Sequence, residues 1–384
     1  MSTDHPTTPP TDPARPPQPG EPPGPPARGD TVRLRLHDPG ELVAAVPHLL
    51  GFRPVASLVL IAIHGTGRRR RLGVVARADL PTPSAGGAVD AVVEGCADRV
   101  VPTGPSEVAA VVVEEPAADV HGDPGSGPVG QPPRQDVADA VRAVFTGRGV
   151  AVSTRLWVPG IAAGAPWRCY PPCDCRGTVA ATDDSPVAAA SAWLGQVTYA
   201  SRDAMAASIA PRPPSPRLRE RIGAEREAAV LDRELGGPAA ACRDLAAVTA
   251  ARAEVAAGRT LGDAELARLA VALADPAVRD TVMGWALDPD DGVAAAAEQL
   301  WTLLVRALPA PEVAEPAVLL ACALLVRGGS ALVGVALERA RRAHPGHRLT
   351  GLVEALLATG AGPDAVRTII REASAESAAR LRGG

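Results

Sequence analysis

The chain has 384 residues, a formal net charge of −4, 46% hydrophobic residues, 2% aromatic residues and 40 prolines. That length favours two or more domains, and a net negative charge disfavours a nucleic-acid-binding surface, whose affinity comes mainly from neutralising phosphates. All 39 basic residues are Arg, and Lys and Asn do not occur. This is the codon bias of a GC-rich genome and no signal for nucleic acid.

The elements follow in chain order. Residues 1–30 are rich in Pro, Gly and Thr with little to bury, so a disordered tail is expected there. The tail has no apolar core of the signal-peptide kind. The longest apolar run, Ala317 to Val326, is about half of the ~20 residues a bilayer span needs. Both points favour a cytoplasmic protein without a membrane partner.

From residue 31 to 210 the pattern predicts a mixed α/β domain. Val32 to Leu36 alternates as a half-buried strand does. Asp38 is a helix N-cap followed by Pro39, with Glu41 three residues on. The helix runs from Glu41 to Leu50, where Gly51 fits its C-cap. Leu58 to Ile63 is an apolar run suited to a central strand. Gly65 to Arg71 is a turn, and Leu72 to Ala78 completes a hairpin. A helix at 87–100, a strand at 108–113, a Gly/Pro-rich loop at 116–133, a helix at 135–146 and a strand at 150–158 follow. This alternation predicts a mixed, partly parallel sheet with covering helices. Residues 167–179 form a short Cys-containing hairpin. Ser185 caps a long helical segment reaching Ile209, and Pro211 to Pro216 is a stiff linker.

Residues 217–384 predict an all-α helical domain with breaks at Gly, Pro or Asp. Within it, Ser330 to Pro345 followed by Arg348 to Leu357 has the small-residue and terminal-Pro rhythm of a tetratricopeptide-like helix pair. Gly334, Ala336 and Ala340 allow close approach there.

Five constellations bear on chemistry. His37-Asp38, with His48 on the next helix, contains the residue types of acid–base catalysis. Asp38 already has a capping role, which the residues favour. Phe52 and Arg53 lie in the loop leading to Ser57. Phe52 is a core anchor before it is a ligand platform, and Arg53 is a lone anion contact. Arg68 to Arg71 reads as a solvated turn. Cys169, Cys173 and Cys175 contain the ligand atoms zinc prefers. A structural site needs four ligands, however, and the Cys-x-Cys spacing is not that of a zinc knuckle. A tight turn with packed thiols is favoured over a labile disulfide and over zinc, so no cofactor is expected. The helical pair is the fifth. The phosphate-loop, dinucleotide, metalloprotease and nucleophile-elbow motifs are all missing.

Together the stretches Asp38 to Pro47, Leu49-Leu50-Gly51-Phe52-Arg53-Pro54, Ser57 to Val59, Trp167 to Thr178, Ala188 to Ala207, Ala336 to Pro345 and Leu349 to Gly360 resemble a mainly actinobacterial family, domain of unknown function 4192. The resemblance covers roughly residues 31–363. The hairpin departs from the family pattern: aromatics and a paired Cys-Cys give way to Arg168, Cys169 and Cys173-Asp174-Cys175. The resemblance implies a fold and no particular reaction. The expected function is therefore a cytoplasmic, non-enzymatic interaction or regulatory protein whose helical domain presents a groove to a protein partner. The alternative is an enzyme or small-ligand or anion binder at the strand ends around His37, Asp38, Phe52, Arg53 and Ser57, where open α/β folds place ligands.

Overall fold

The computed structural model describes residues 38–67, 70–82, 87–114, 131–193, 195–213, 215–236 and 238–383. The expected tail, the strand at 32–36, His37, Arg68, Arg69 and most of the 116–133 loop lie outside them.

The first helix, α1 (Pro39–Leu50), starts where its signals place it. The Asp38 carboxylate accepts from the Glu41 N–H at 3.0 Å, and Gly51 closes the helix in a left-handed conformation. Pro47 lies inside it and supplies no N–H of its own, and its carbonyl accepts from the Gly51 N–H at 2.8 Å.

Among the described residues, six strands form one sheet: β1 (Ser57–His64), β2 (Arg71–Asp79), β3 (Glu107–Val113), β4 (Ala151–Val158), β5 (Pro166–Cys169) and β6 (Arg176–Thr178). Their order is β2-β1-β3-β4-β5-β6. Only β3 and β4 pair in parallel; every other neighbour is antiparallel. The partly parallel sheet expected from the alternation is therefore present. Strands β1 and β3 are buried on both faces. Leu58, Leu60, Val108 and Val112 pack on one side, against α2 (Ala88–Val100) and α3 (Gln135–Gly147). Val59, Ile61, Val111 and Val113 pack on the other, against α1 and Phe52. Burial on two faces is what turns a period-2 pattern into the continuous apolar runs of these strands.

The segment 185–209 is not one helix. It divides into α4 (Pro186–Trp193) and α5 (Arg202–Ser208). Gly195 adopts a left-handed conformation, and Tyr199 leaves helical geometry to pair with the 51–53 loop. The Ser201 hydroxyl then caps α5.

The C-terminal half is helical throughout: α6 (Pro216–Gly236), α7 (Pro238–Ala256), α8 (Asp263–Ala272), α9 (Pro276–Met283), α10 (Asp291–Ala307), α11 (Ala314–Val326), α12 (Ala331–Ala343), α13 (Arg348–Ala358) and α14 (Pro363–Gly383). Helix α11 holds the longest apolar run and is buried on every side, as a helix without a polar face must be. No helix among the described residues is long and apolar enough to cross a membrane.

The main packing partner of α12 is α11, with α13 a lesser one. Ala336 and Ala340 are fully buried in that contact, whereas a Cβ on Gly334 would meet nothing. Close approach therefore depends on the two alanines, and the tetratricopeptide-like arrangement is not established by this packing. Helix α12 also reaches the sheet: Ala331, Leu332 and Val335 pack on the α1 side of it. An Arg202–Glu338 contact at 3.8 Å accompanies this seam.

Candidate functional sites

Strand ends. The loop after α1 crosses the sheet edge at which β3 and β4 terminate, since Ser57 is opposite Val113 and Val113 is opposite Val158. Gly51 turns the chain, Phe52 drops into the core at 2% exposure, and Arg53 points outward. The loop is held by Tyr199: its N–H donates to the Gly51 carbonyl at 2.8 Å and its carbonyl accepts from the Arg53 N–H at 3.1 Å. Arg53 Nη2 donates to Asp183 at 2.7 Å in an exposed pair, and Nη1 lies 3.4 Å from the Ile161 carbonyl. The Ser57 hydroxyl is fully buried. It donates to the Val55 carbonyl at 2.6 Å and accepts from Arg77 Nε at 2.8 Å.

Arg77 also pairs with Asp79 at 2.5 Å and lies 5.9 Å from the centre of the Phe52 ring. The structure thus brings Phe52, Arg53 and Ser57 to one edge and adds Arg77, which the sequence reading missed. A basic residue in a half-buried strand gives no local signal of its partners. Asp38 is not part of this group. It caps the far end of the 12-residue helix α1, about 18 Å away by helical rise. His48 joins the 182–198 segment to α1, with Nδ1 3.0 Å from Thr198 Oγ1 and Nε2 2.9 Å from the Thr182 carbonyl.

Cysteine hairpin. Strands β5 and β6 pair Trp167 with Gly177 and Arg168 with Arg176. Trp167 Nε1 donates to the Thr178 carbonyl at 3.2 Å. The Cys169 N–H donates to the Cys175 carbonyl at 2.8 Å, which closes the turn. The Sγ atoms of Cys169, Cys173 and Cys175 all lie within 4.8 Å of one another. Cys173 and Cys175 are exposed, not packed as expected. Burial first, then Cys173, pushes the Cys169 thiol up from its ordinary 9.0 to about 12. Hydrogen bonds from Cys175 hold the Cys173 thiol below its ordinary value.

The hairpin is anchored from beneath. Buried Arg155 donates to the Ala138 carbonyl at 3.0 Å, to Asp139 at 3.1 Å and to the Pro171 carbonyl. The Tyr170 hydroxyl donates to the Pro133 carbonyl at 2.6 Å, and burial raises its pKa.

Helical recess. A recess of about 520 Å³ opens between the Pro-rich linker, the start of α8, α10 and the end of α11. Leu266 and Leu303 form part of its apolar wall; Arg212, Arg306, Arg327 and Glu298 supply charge. Arg327 Nη1 pairs with Glu298, and its Nη2 donates to the Gly195 carbonyl at 3.2 Å. The Arg212 N–H donates to the Arg306 carbonyl at 2.6 Å, which fixes the linker on α10. Arg306 Nε is buried and has no hydrogen-bond partner among the described residues. These arginines come from three distant stretches, so no sequence window contains the site.

The chain matches the model of the family described as "Domain of unknown function (DUF4192)" over residues 39–364 and belongs to that family. No curated protein and no solved structure matches it.

Proposed function

We propose that this member of the DUF4192 family is a cytoplasmic, non-enzymatic interaction protein that holds an acidic segment of a protein partner in the helical recess. One observation carries the reading: Arg306 Nε is buried without a hydrogen-bond partner among the described residues, beside Arg212 and Arg327. Leaving a buried donor unsatisfied costs about 1–3 kcal/mol. A carboxylate from a partner removes that cost and gains a charge-assisted, two-pronged contact. Glu298 is already engaged by Arg327, which leaves the recess with positive charge to offer. Its volume lies in the range of about 300–1,000 Å³ typical of ligand sites. The six free thiols suit a reducing compartment. At the strand ends, the Ser57 hydroxyl and the His48 imidazole each bond to nearby backbone, which supports binding over catalysis.

A second reading keeps an anion site on Arg53 and Phe52. Its support is position: the loop crosses the edge where the parallel strands end, and the exposed Asp183 carboxylate is open to displacement by a ligand anion.

The test uses the full chain and a fluorescently labelled oligo-glutamate peptide. Binding measured by anisotropy should weaken at least about tenfold, equivalent to about 1.4 kcal/mol, in Arg212→Glu/Arg306→Glu. Arg53→Ala should leave it unchanged. No binding by the parent chain, or equal binding by the double variant, overturns the recess. Loss on Arg53→Ala alone transfers the site to the strand ends.

A further inference from the structure

The geometry points to a single zinc ion held by the three thiolates of Cys169, Cys173 and Cys175, with its fourth coordination position open to solvent. The argument starts from distance. Zinc binds thiolate sulfur at about 2.3 Å, so a tetrahedral site separates its sulfurs by about 3.8 Å. The three Sγ atoms already lie within 4.8 Å of one another. Closing the remaining ångström needs side-chain rotation alone, and Cys173 and Cys175 are exposed enough to rotate.

The backbone is set for such a site. The Cys169–Cys175 hydrogen bond fixes the turn independently of the sulfurs. The Cys175 N–H donates to Cys173 Sγ at 3.4 Å, a contact that stabilises negative charge on sulfur. Three thiolates around a divalent ion carry one net negative charge, and the cross-strand pair Arg168 and Arg176 places two cations on the strands that flank the turn holding the trio. Beneath it, Arg155 ties the Pro171 carbonyl to α3, so the turn is anchored before any ion arrives.

Spacing alone disfavours zinc, because it offers three ligands in place of four and a Cys-x-Cys in place of a zinc-knuckle pair. Pairing of β5 with β6 supplies what spacing does not, since it folds Cys169 back onto Cys175. Three protein ligands with water in the fourth position is an established zinc arrangement, whereas closed structural sites use four protein ligands. Binding releases each thiol proton still present on the trio, so loading acidifies a weakly buffered solution.

The full chain, purified under reductant, is loaded with zinc and dialysed, then loaded separately with cobalt. The expected result is one ion per chain, zinc-dependent protection of Cys173 and Cys175 (exposed without the ion) from a thiol reagent while Cys242 still reacts, and the intense ligand-field bands of tetrahedral cobalt with thiolate ligands. Cys173→Ser and Cys175→Ser should each weaken zinc binding by more than about 100-fold, beyond what changes outside the ligand set cause. Cys242→Ser, at an exposed cysteine on α7, should not. Retention of zinc by Cys173→Ser equal to the parent overturns the proposal. Failure of the parent to retain any ion overturns it, as does a Cys173–Cys175 disulfide persisting under reductant. Circular dichroism of the two serine variants should match the parent, because both side chains are exposed.

Discussion

Arg77 Nε and Ser57 Oγ meet at 2.8 Å across neighbouring strands, at the foot of the loop that carries Phe52 and Arg53. Ser57 has no exposed surface, so its hydroxyl spends both bonding capacities inside the protein. Ser57→Ala should lower stability by about 1–2 kcal/mol, because it strips the Arg77 Nε donor of its acceptor, while the Val55 carbonyl keeps a contact to Arg77 Nη2 at 3.4 Å. A double-mutant cycle with Arg77→Ala, followed by urea unfolding, should show coupling above about 0.5 kcal/mol. Strict additivity would mean that the two groups do not interact.

Arg155 and Asp139 form a pair whose members differ in burial, with side-chain exposures of 8% and 46%. Replacing Arg155 by Ala removes the donor to two carbonyls and opens space under the hairpin. A loss of about 2–4 kcal/mol is expected. Asp139→Ala removes half-exposed contacts to Arg155, to Arg142 at 3.4 Å and to Gln135 Nε2 at 3.1 Å, leaves both Arg155 carbonyl contacts in place, and should cost less, about 1 kcal/mol. Equal costs in chemical denaturation would contradict this account.

Two glycines should respond oppositely to a methyl group. A Cβ on Gly40 would sit 2.4 Å from the Thr178 carbonyl. Since backbone cannot swing aside, Gly40→Ala should destabilise by about 1–3 kcal/mol and shift Trp167 fluorescence. At Gly334, inside α12, a Cβ meets nothing. There Gly334→Ala should stabilise by about 0.5–1 kcal/mol through helix propensity. Melting temperatures of the two variants test both signs.

Burial pushes the Cys322 thiol, at the centre of α11, from its ordinary 9.0 to about 12. The unfolded chain therefore loses this proton first as pH rises, and binds fewer protons than the folded state between those values. Stability is fully present below about pH 9 and falls as pH climbs towards 12. Cys322→Ala should flatten that alkaline limb in denaturant titrations. An unchanged slope would show that the thiol does not contribute to it.

Much of the architecture is legible in local chemistry. Asp38 and Pro39 mark α1, and Gly, Pro or Asp stand at the breaks between the C-terminal helices, as expected. What escapes is pairing between distant stretches. The break at Gly195 arises because Tyr199 bonds to the loop at Phe52, and nothing near Tyr199 announces it. The recess arginines and Arg77 share that character. The cysteines are intermediate: their hairpin is visible in the residue pattern, but the meeting of their sulfurs depends on strand register.

Helix α12 belongs to both cores, with Val333, Ala336 and Leu337 in one and Ala331, Leu332 and Val335 against the other. The linker at 211–216 is therefore a poor place to cut. Separated there, each fragment would carry a bare strip of aliphatic surface where the other had rested. Calorimetry of the intact chain should register the two halves melting as one unit, so whatever grips the recess also steadies the sheet.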